Sequence, residues 1–271
     1  MLAVGLAAPT AAAQTQPGGE LQIDWRVHVP VLVAGGLGLG LSEALLKDGL
    51  ADERCSWCDG NAFDDRLRAK LRWSDPETAH QLSNALVYGV APASAFGLTA
   101  LVGWRDGRAA DWPVNAFAVL ETTILAADLT WLVKFQTGRA RPYARDFAPG
   151  DPAGPPEAAS ESNLSFYSGH TSFAFSLAVA SGTVASMRGY RGAPVVWGVG
   201  LGVAALTGWL RVAADRHHAS DVLTGALVGS AVGFAVPYLI HRRRRPTSVK
   251  DLQIGLAPAQ GGALVLFGWQ R

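Results

Sequence analysis

The sequence predicts an all-α fold: a transmembrane helical bundle of five or six spans, followed by a short C-terminal β-hairpin-like tail. Three observations predict it. Long apolar runs recur along the chain, each close to the ~20 residues that cross a bilayer. Hydrophobic residues make up 49% of the 271 and charged residues only 17%, where a soluble domain carries about 25% charged. Basic residues gather in short clusters at run ends, the placement expected of loops that stay on the cytoplasmic side. The 31 glycines fit the same picture, since glycine is commoner in transmembrane helices than in soluble ones. A net charge of +1 offers no global field for a nucleic acid, and none is expected as a partner.

Residues 1–20 read as a signal-like or disordered leader, apolar and then small, with an Ala-x-Ala site at Ala11-Ala12-Ala13 but no basic start. Residues 21–245 are the expected helical domain and 246–271 the tail. The first run, 29–46, is Gly-rich, contains Glu43 and is the weakest. A cleaved leader would leave it on or against the membrane and five spans elsewhere; a retained leader gives six. The stronger runs are 82–104, 114–135, 171–187, 195–210 and 222–240. A soluble bundle would need polar stripes on its surface helices, and 82–104 and 222–240 show almost none.

Arg105 with Arg108, Arg188 with Arg191, and Arg242 to Arg245 place three loops inside. Alternation then puts 48–81, 137–169 and 212–220 outside. Arg54, Arg66, Arg68, Lys70 and Arg72 in the first of these run against the rule. Cys55 and Cys58 lie in the same segment. No second pair completes a zinc site and no βαβ pattern surrounds them, so an outside location favours a disulfide. In the tail, 254–258 and 263–269 read as strands around Gly261-Gly262.

Three polar clusters stand out against this background. Lys134 ends one run and is followed by Arg139 and Arg141-Pro142. Arginine forks and a lysine point charge make an anion site; the plainer reading is anchoring to lipid headgroups. Ser165-Phe166-Tyr167-Ser168-Gly169-His170-Thr171 opens the next run. Ser168 or Thr171 can cap that helix, Gly169 permits close backbone approach, and free amides at a helix start bind anions. His170 would sit beside the anion, suited to pass a proton, or is incidental. In the third cluster, Arg211 precedes His217, His218 and Asp221. In a helical turn His217 and Asp221 share a face, and a carboxylate on one ring nitrogen leaves the other free to attack. His218 is the rival nucleophile or a surface histidine, and Asp215 and Arg216 read as a solvated pair. All three clusters fall at outward-facing run ends.

Together they resemble the phosphatidic acid phosphatase type 2 superfamily. Residues 134–142 fit its Lys-x6-Arg-Pro. Ser168-Gly169-His170 fits Pro-Ser-Gly-His with Tyr167 for proline, and Arg211, His217 and Asp221 fit Ser-Arg-x5-His-x3-Asp with Leu210 for serine. The resemblance covers about half the chain. It implies a phosphatase without metal or cofactor. His217 would be the nucleophile that forms a phosphohistidine, Asp221 would orient it, and His170 would protonate the leaving oxygen. Lys134, Arg141, Arg211, Ser168 and Gly169 would hold the phosphoryl oxygens. It further implies a lipid phosphate or diphosphate as substrate, and a bacterial inner membrane with the site facing the periplasm. Phosphatidic acid, phosphatidylglycerol phosphate, undecaprenyl diphosphate and lipid A phosphate all fit. Rival expectations are a vanadium-dependent haloperoxidase-like oxidoreductase, a soluble periplasmic acid phosphatase, and a non-catalytic lipid-binding protein. The 145–164 loop, rich in proline and acidic residues, is a candidate lid.

Overall fold

The computed structural model describes residues 21–51, 54–147, 159–242, 252–259 and 262–269. The leader, residues 148–158 of the candidate lid, Arg243, Arg244, Arg245 and the Gly261 turn lie outside them. The first long helix begins where Asp24 accepts the amide of Arg26. It runs as α1 (Trp25–Leu41) through a π turn (Ser42–Leu46) into α2 (Lys47–Leu50). α3 (Ala62–Leu71) is capped by Asn61. Asp75 caps α4 (Pro76–Ala85), with Pro76 at the first position, where a missing amide costs nothing. A second π turn (Leu86–Val90) carries α4 into α5 (Ala91–Arg105). α6 (Trp112–Thr137) stops at Gly138, whose φ of 51° is the left-handed conformation that ends helices. The short α7 (Ala159–Ser162) precedes α8 (Gly169–Met187), capped by Ser168. α9 (Ala193–Ala213) follows, and α10 (Ala219–Ala235) continues into a third π turn (Val236–Ile240).

Five helices are long and apolar enough to cross a membrane: Trp25–Leu46, Pro76–Arg105, Ala109–Thr137, Ala193–Ala213 and Ala219–Ile240. The weakest expected span, 29–46, is among them, and the expected span 171–187 is not. The reason is burial. α8 is the central helix, packed by α5, α6, α9 and α10. Fourteen of its nineteen residues are buried. Facing protein on all sides, it needs small residues for close contact more than it needs hydropathy. Ser176 and Ser181 return their hydroxyls to the backbone one turn earlier, Ser176 to the Phe173 carbonyl at 2.9 Å and Ser181 to that of Ala178 at 3.1 Å. The outer helices instead present Leu45, Leu132, Leu223 and Leu227 outward, which suits lipid.

α10 meets α8 along Gly225, Gly229 and Gly233, spaced one per turn. A Cβ at Gly229 would lie 2.3 Å from the Ser172 carbonyl oxygen, and one at Gly225 2.6 Å from that of Ser168. This contact brings the starts of both helices together, and the Ser168 amide donates to the Asp221 carbonyl at 3.1 Å. At the other end, Asp106 binds Arg191 at 2.9 Å and the Arg188 carbonyl accepts from Arg108. Cys55 and Cys58 form a disulfide. In the tail, β1 (Leu252–Ala259) pairs antiparallel with β2 (Gly262–Trp269).

Candidate active site

A cavity of about 570 Å³ opens at the end of the bundle where α6 and α9 finish and α8 begins. Lys134, Arg141, Gly169, His170, Arg211 and His217 all line it, so residues from all three sequence clusters meet there. Each is held by local structure. Lys134, on the last turn of α6, donates to the Leu164 carbonyl at 2.8 Å and sits 5.4 Å from the Trp131 ring. Arg141 donates through Nε to the Glu161 carbonyl at 2.9 Å and pairs with the Glu161 carboxylate. Arg211 donates from Nη1 to His80 Nδ1 at 2.9 Å and to Ser83 Oγ at 3.0 Å. His170 Nε2 lies 2.7 Å from Asn84 Oδ1, and Tyr88 meets the ring edge-on at 5.4 Å. The supports His80, Ser83 and Asn84 come from α4 and Tyr88 from the π turn after it. No motif flags them in the sequence.

Ser168 and Asp221 stand behind the lining. The Ser168 hydroxyl accepts from Thr171 Oγ1 at 2.9 Å as a helix cap. Asp221 was expected to face His217 across a helical turn. The structure corrects this: α10 begins at Ala219, with His218 in extended conformation before it, so His217 precedes the helix. A chain reversal still brings His217 Nδ1 to 3.6 Å from Asp221 Oδ2. Asp221 is fully buried and accepts from Ser165 Oγ at 2.6 Å, the His218 amide at 2.9 Å and Arg139.

Arg139 belongs to this carboxylate side and not to the anion site. It is fully buried between Asp221 and Asp64, 2.9 Å from the latter, with Trp57 3.9 Å from its guanidinium. The disulfide loop supplies Trp57 and pairs with the Gly138–Ala140 backbone, so the cysteines brace the first motif. Burial pushes the Asp64 carboxyl up, but bonds from Ser220 and Arg139 outweigh it and hold it below 3.8.

Two other expectations are corrected. Asp215 is not solvated: it is buried, ion-paired to Arg68 at 2.6 Å, and holds a φ of 58°. Its neighbour Arg216 packs on the Tyr143 ring at 5.2 Å and lines the cavity. His218 is no surface histidine. It is buried against the Ala140 carbonyl at 3.1 Å, outside the cavity lining. Leu210, in place of the usual serine, packs with Ala79 and Ala213 away from the cavity.

Electrostatics follow from burial among cations. Burial first, then Arg141, Arg211 and Lys134, hold the His217 imidazole well below its ordinary 6.5, so the ring is neutral. Burial raises the Glu161 carboxyl, but Arg141, Lys47 and Lys134 outweigh it and keep it ionised. Glu161 therefore occupies Arg141 as an anion would.

Cations focused on a pocket with two histidines, at one end of a bundle whose helices are long and apolar enough to cross a membrane, make a site for an anionic group such as phosphate. Residues 115–245, a little under half of the chain, match the family model of the PAP2 superfamily, and every residue of the three clusters lies in this segment. A solved structure from Bacillus subtilis, described as the first transmembrane PAP2 type phosphatidylglycerolphosphate phosphatase, is similar at 19% identity and a TM-score of 0.46. The likeness covers 77% of this chain and 93% of that one, and it is too distant to carry a substrate or a residue role across.

Proposed function

We propose that the cavity hydrolyses a lipid phosphate or diphosphate through a phosphohistidine on His217. The observation that carries this is the convergence of Lys134, Arg141 and Arg211 with neutral His217 and with His170 on one cavity that apolar side chains also line. Leu39, Val87, Ala127 and Phe173 are among its lining residues, and they suit an acyl or prenyl chain beside a charged headgroup. The phosphoryl group replaces the Glu161 carboxylate on Arg141 and takes further contacts from Lys134, Arg211 and the start of α8.

In the first step the free His217 nitrogen attacks phosphorus as the ester P–O bond breaks. His170, carrying a second proton once the phosphate dianion is bound, gives that proton to the departing oxygen and is left neutral. Asp221 supports the positive charge that grows on the imidazole; its own charge is fixed by Arg139 and Ser165. The three cations hold the charge spreading over the equatorial oxygens. In the second step His170 takes a proton from water, water oxygen bonds to phosphorus, the P–N bond breaks, and inorganic phosphate leaves with His217 neutral again.

The Cys55–Cys58 disulfide lies on the cavity side, which supports an oxidising compartment there and hence a periplasmic-facing site in a bacterial inner membrane. The test is phosphate release from long-chain lipid phosphates and diphosphates in detergent, paired with trapping of labelled enzyme. Wild type should form an acid-labile, alkali-stable phosphoprotein, and His217→Ala should lose both the label and at least ~10³-fold in rate. Turnover retained in His217→Ala would overturn the mechanism.

A further inference from the structure

At the end of the bundle away from the cavity, three metal-ligating side chains converge. His28 lies in the first turn of α1, Glu121 on α6, and His241 directly after the π turn that ends α10. Glu121 precedes Lys134 by thirteen residues, about 20 Å along the helix at ~1.5 Å per residue, so this cluster is separate from the catalytic cavity. His28 Nδ1 lies 2.9 Å from Glu121 Oε1, and His241 Nε2 lies 2.9 Å from Glu121 Oε2. One donor atom from each residue falls within 4.8 Å of the others, and among the described residues no other His, Cys, Asp or Glu group of three does this.

The cluster is buried and incompletely satisfied. Glu121 is 2% exposed and His241 0%. Glu121 Oε2 and both ring nitrogens of His241 lack a hydrogen-bond partner. Oε2 and Nε2 are close enough to bond, yet they are not aligned on each other. A buried carboxylate oxygen and imidazole left in this state are costly, and atoms that approach without pointing at one another are what donors to a shared cation look like. Two imidazoles and one carboxylate are a donor set for borderline first-row ions. At metal–ligand distances of ~2.0–2.2 Å, ligands on one tetrahedral ion sit roughly 3.3 Å apart, which falls between the 2.9 Å of each His–Glu pair and the 4.8 Å that bounds one donor atom from each of the three.

The positions are also fixed in advance. The His241 carbonyl accepts the Gln22 amide at 2.8 Å, its own amide donates to the Val236 carbonyl at 3.2 Å, and Leu21 bridges to Arg242. We propose that His28, Glu121 and His241 form a binding site for a divalent transition ion, with zinc the fitting ion, that fastens α1 to α6 and to the end of α10. α1 needs a fastening: none of its residues is buried. Its far end and the turns after it supply Leu39, Glu43 and Lys47 to the cavity.

The test uses untagged full-length protein in detergent, stripped with a chelator, reloaded with zinc or cobalt and desalted. Elemental analysis should find one ion per chain, and the cobalt form should show a visible ligand-field band. Glu121→Gln, which keeps the side chain's shape, and His241→Ala should each reduce both signals to background. Zinc should raise the melting temperature of the stripped wild type and leave that of Glu121→Gln unchanged. A His170→Ala/His217→Ala double variant should still bind the ion, which separates this site from the cavity histidines. Wild type that retains no ion, or Glu121→Gln that binds as wild type does, overturns the proposal in favour of a hydrogen-bonded His–Glu–His tie.

Discussion

Arg139 shows how much one buried side chain can carry. Its guanidinium compensates Asp64 and Asp221 at once, with all three side chains out of solvent. Removing one partner of a buried ion pair strands the other charge and costs about 3–5 kcal/mol. Arg139→Ala should therefore lower the melting temperature sharply in a detergent unfolding assay and also slow turnover, because Asp221 loses the contact that fixes it behind His217. A melting temperature equal to wild type would show that the pair contributes little. His217 makes a second prediction, on pH. Its folded proton affinity lies well below the ordinary 6.5, so the unfolded chain takes up a proton that the folded chain refuses. The stability linked to this group is complete above pH ~6.5 and is lost as pH falls below it. Between pH ~7.5 and ~5.5 the wild type should lose more thermal stability than His217→Gln; parallel losses would contradict the neutral assignment.

At the scale of elements, the glycine stripe of α10 sets the distance to α8. The start of α8 supplies Gly169 and His170 to the cavity, and the start of α10 supplies Asp221 behind it. Gly229→Val would push its Cβ into the Ser172 carbonyl, 2.3 Å away and part of the backbone. Overpacking of this kind costs about 1–3 kcal/mol, and the forced separation should lower kcat more than it raises KM. Thermal unfolding with kinetics on the same preparation checks both; an unchanged kcat would mean the α8–α10 distance does not control the site. The π turns have a related consequence. Those at Ser42–Leu46 and Leu86–Val90 each add a residue to a helical turn beside the cavity, and Glu43 and Tyr88 on them line it.

For the whole molecule, lipid-facing helices and a cavity lined by both charged and apolar side chains lead to a joint expectation. High salt should leave the protein in the membrane and detergent should release it. A long-chain lipid phosphate should outcompete a short-chain soluble ester in kcat/KM by at least tenfold, since each buried methylene contributes ~0.8 kcal/mol and two suffice for a factor of ten. Equal kcat/KM values across chain length would place the chain outside the cavity.

The sequence by itself determined the helical membrane bundle, because hydropathy and run length are set by the solvent each helix meets. It also determined the residues of the three clusters, because their spacings fit three ordered motifs, each at the end of an apolar run. It reads α8 as a span like the others although serine, threonine and glycine make it less apolar, and the neighbours on every side give the physical reason. It could not assign partners across long separations. Asp215 looks solvated until Arg68 is folded against it, Arg139 looks like an anion ligand until Asp64 and Asp221 flank it, and His80, Ser83 and Asn84 have no role until α4 lies beside Arg211 and His170. The gathering of His28, Glu121 and His241 from three distant segments is of the same kind. Local pattern marks apolar runs and the polar clusters at their ends, and packing alone decides which polar side chains are buried and with whom they pair.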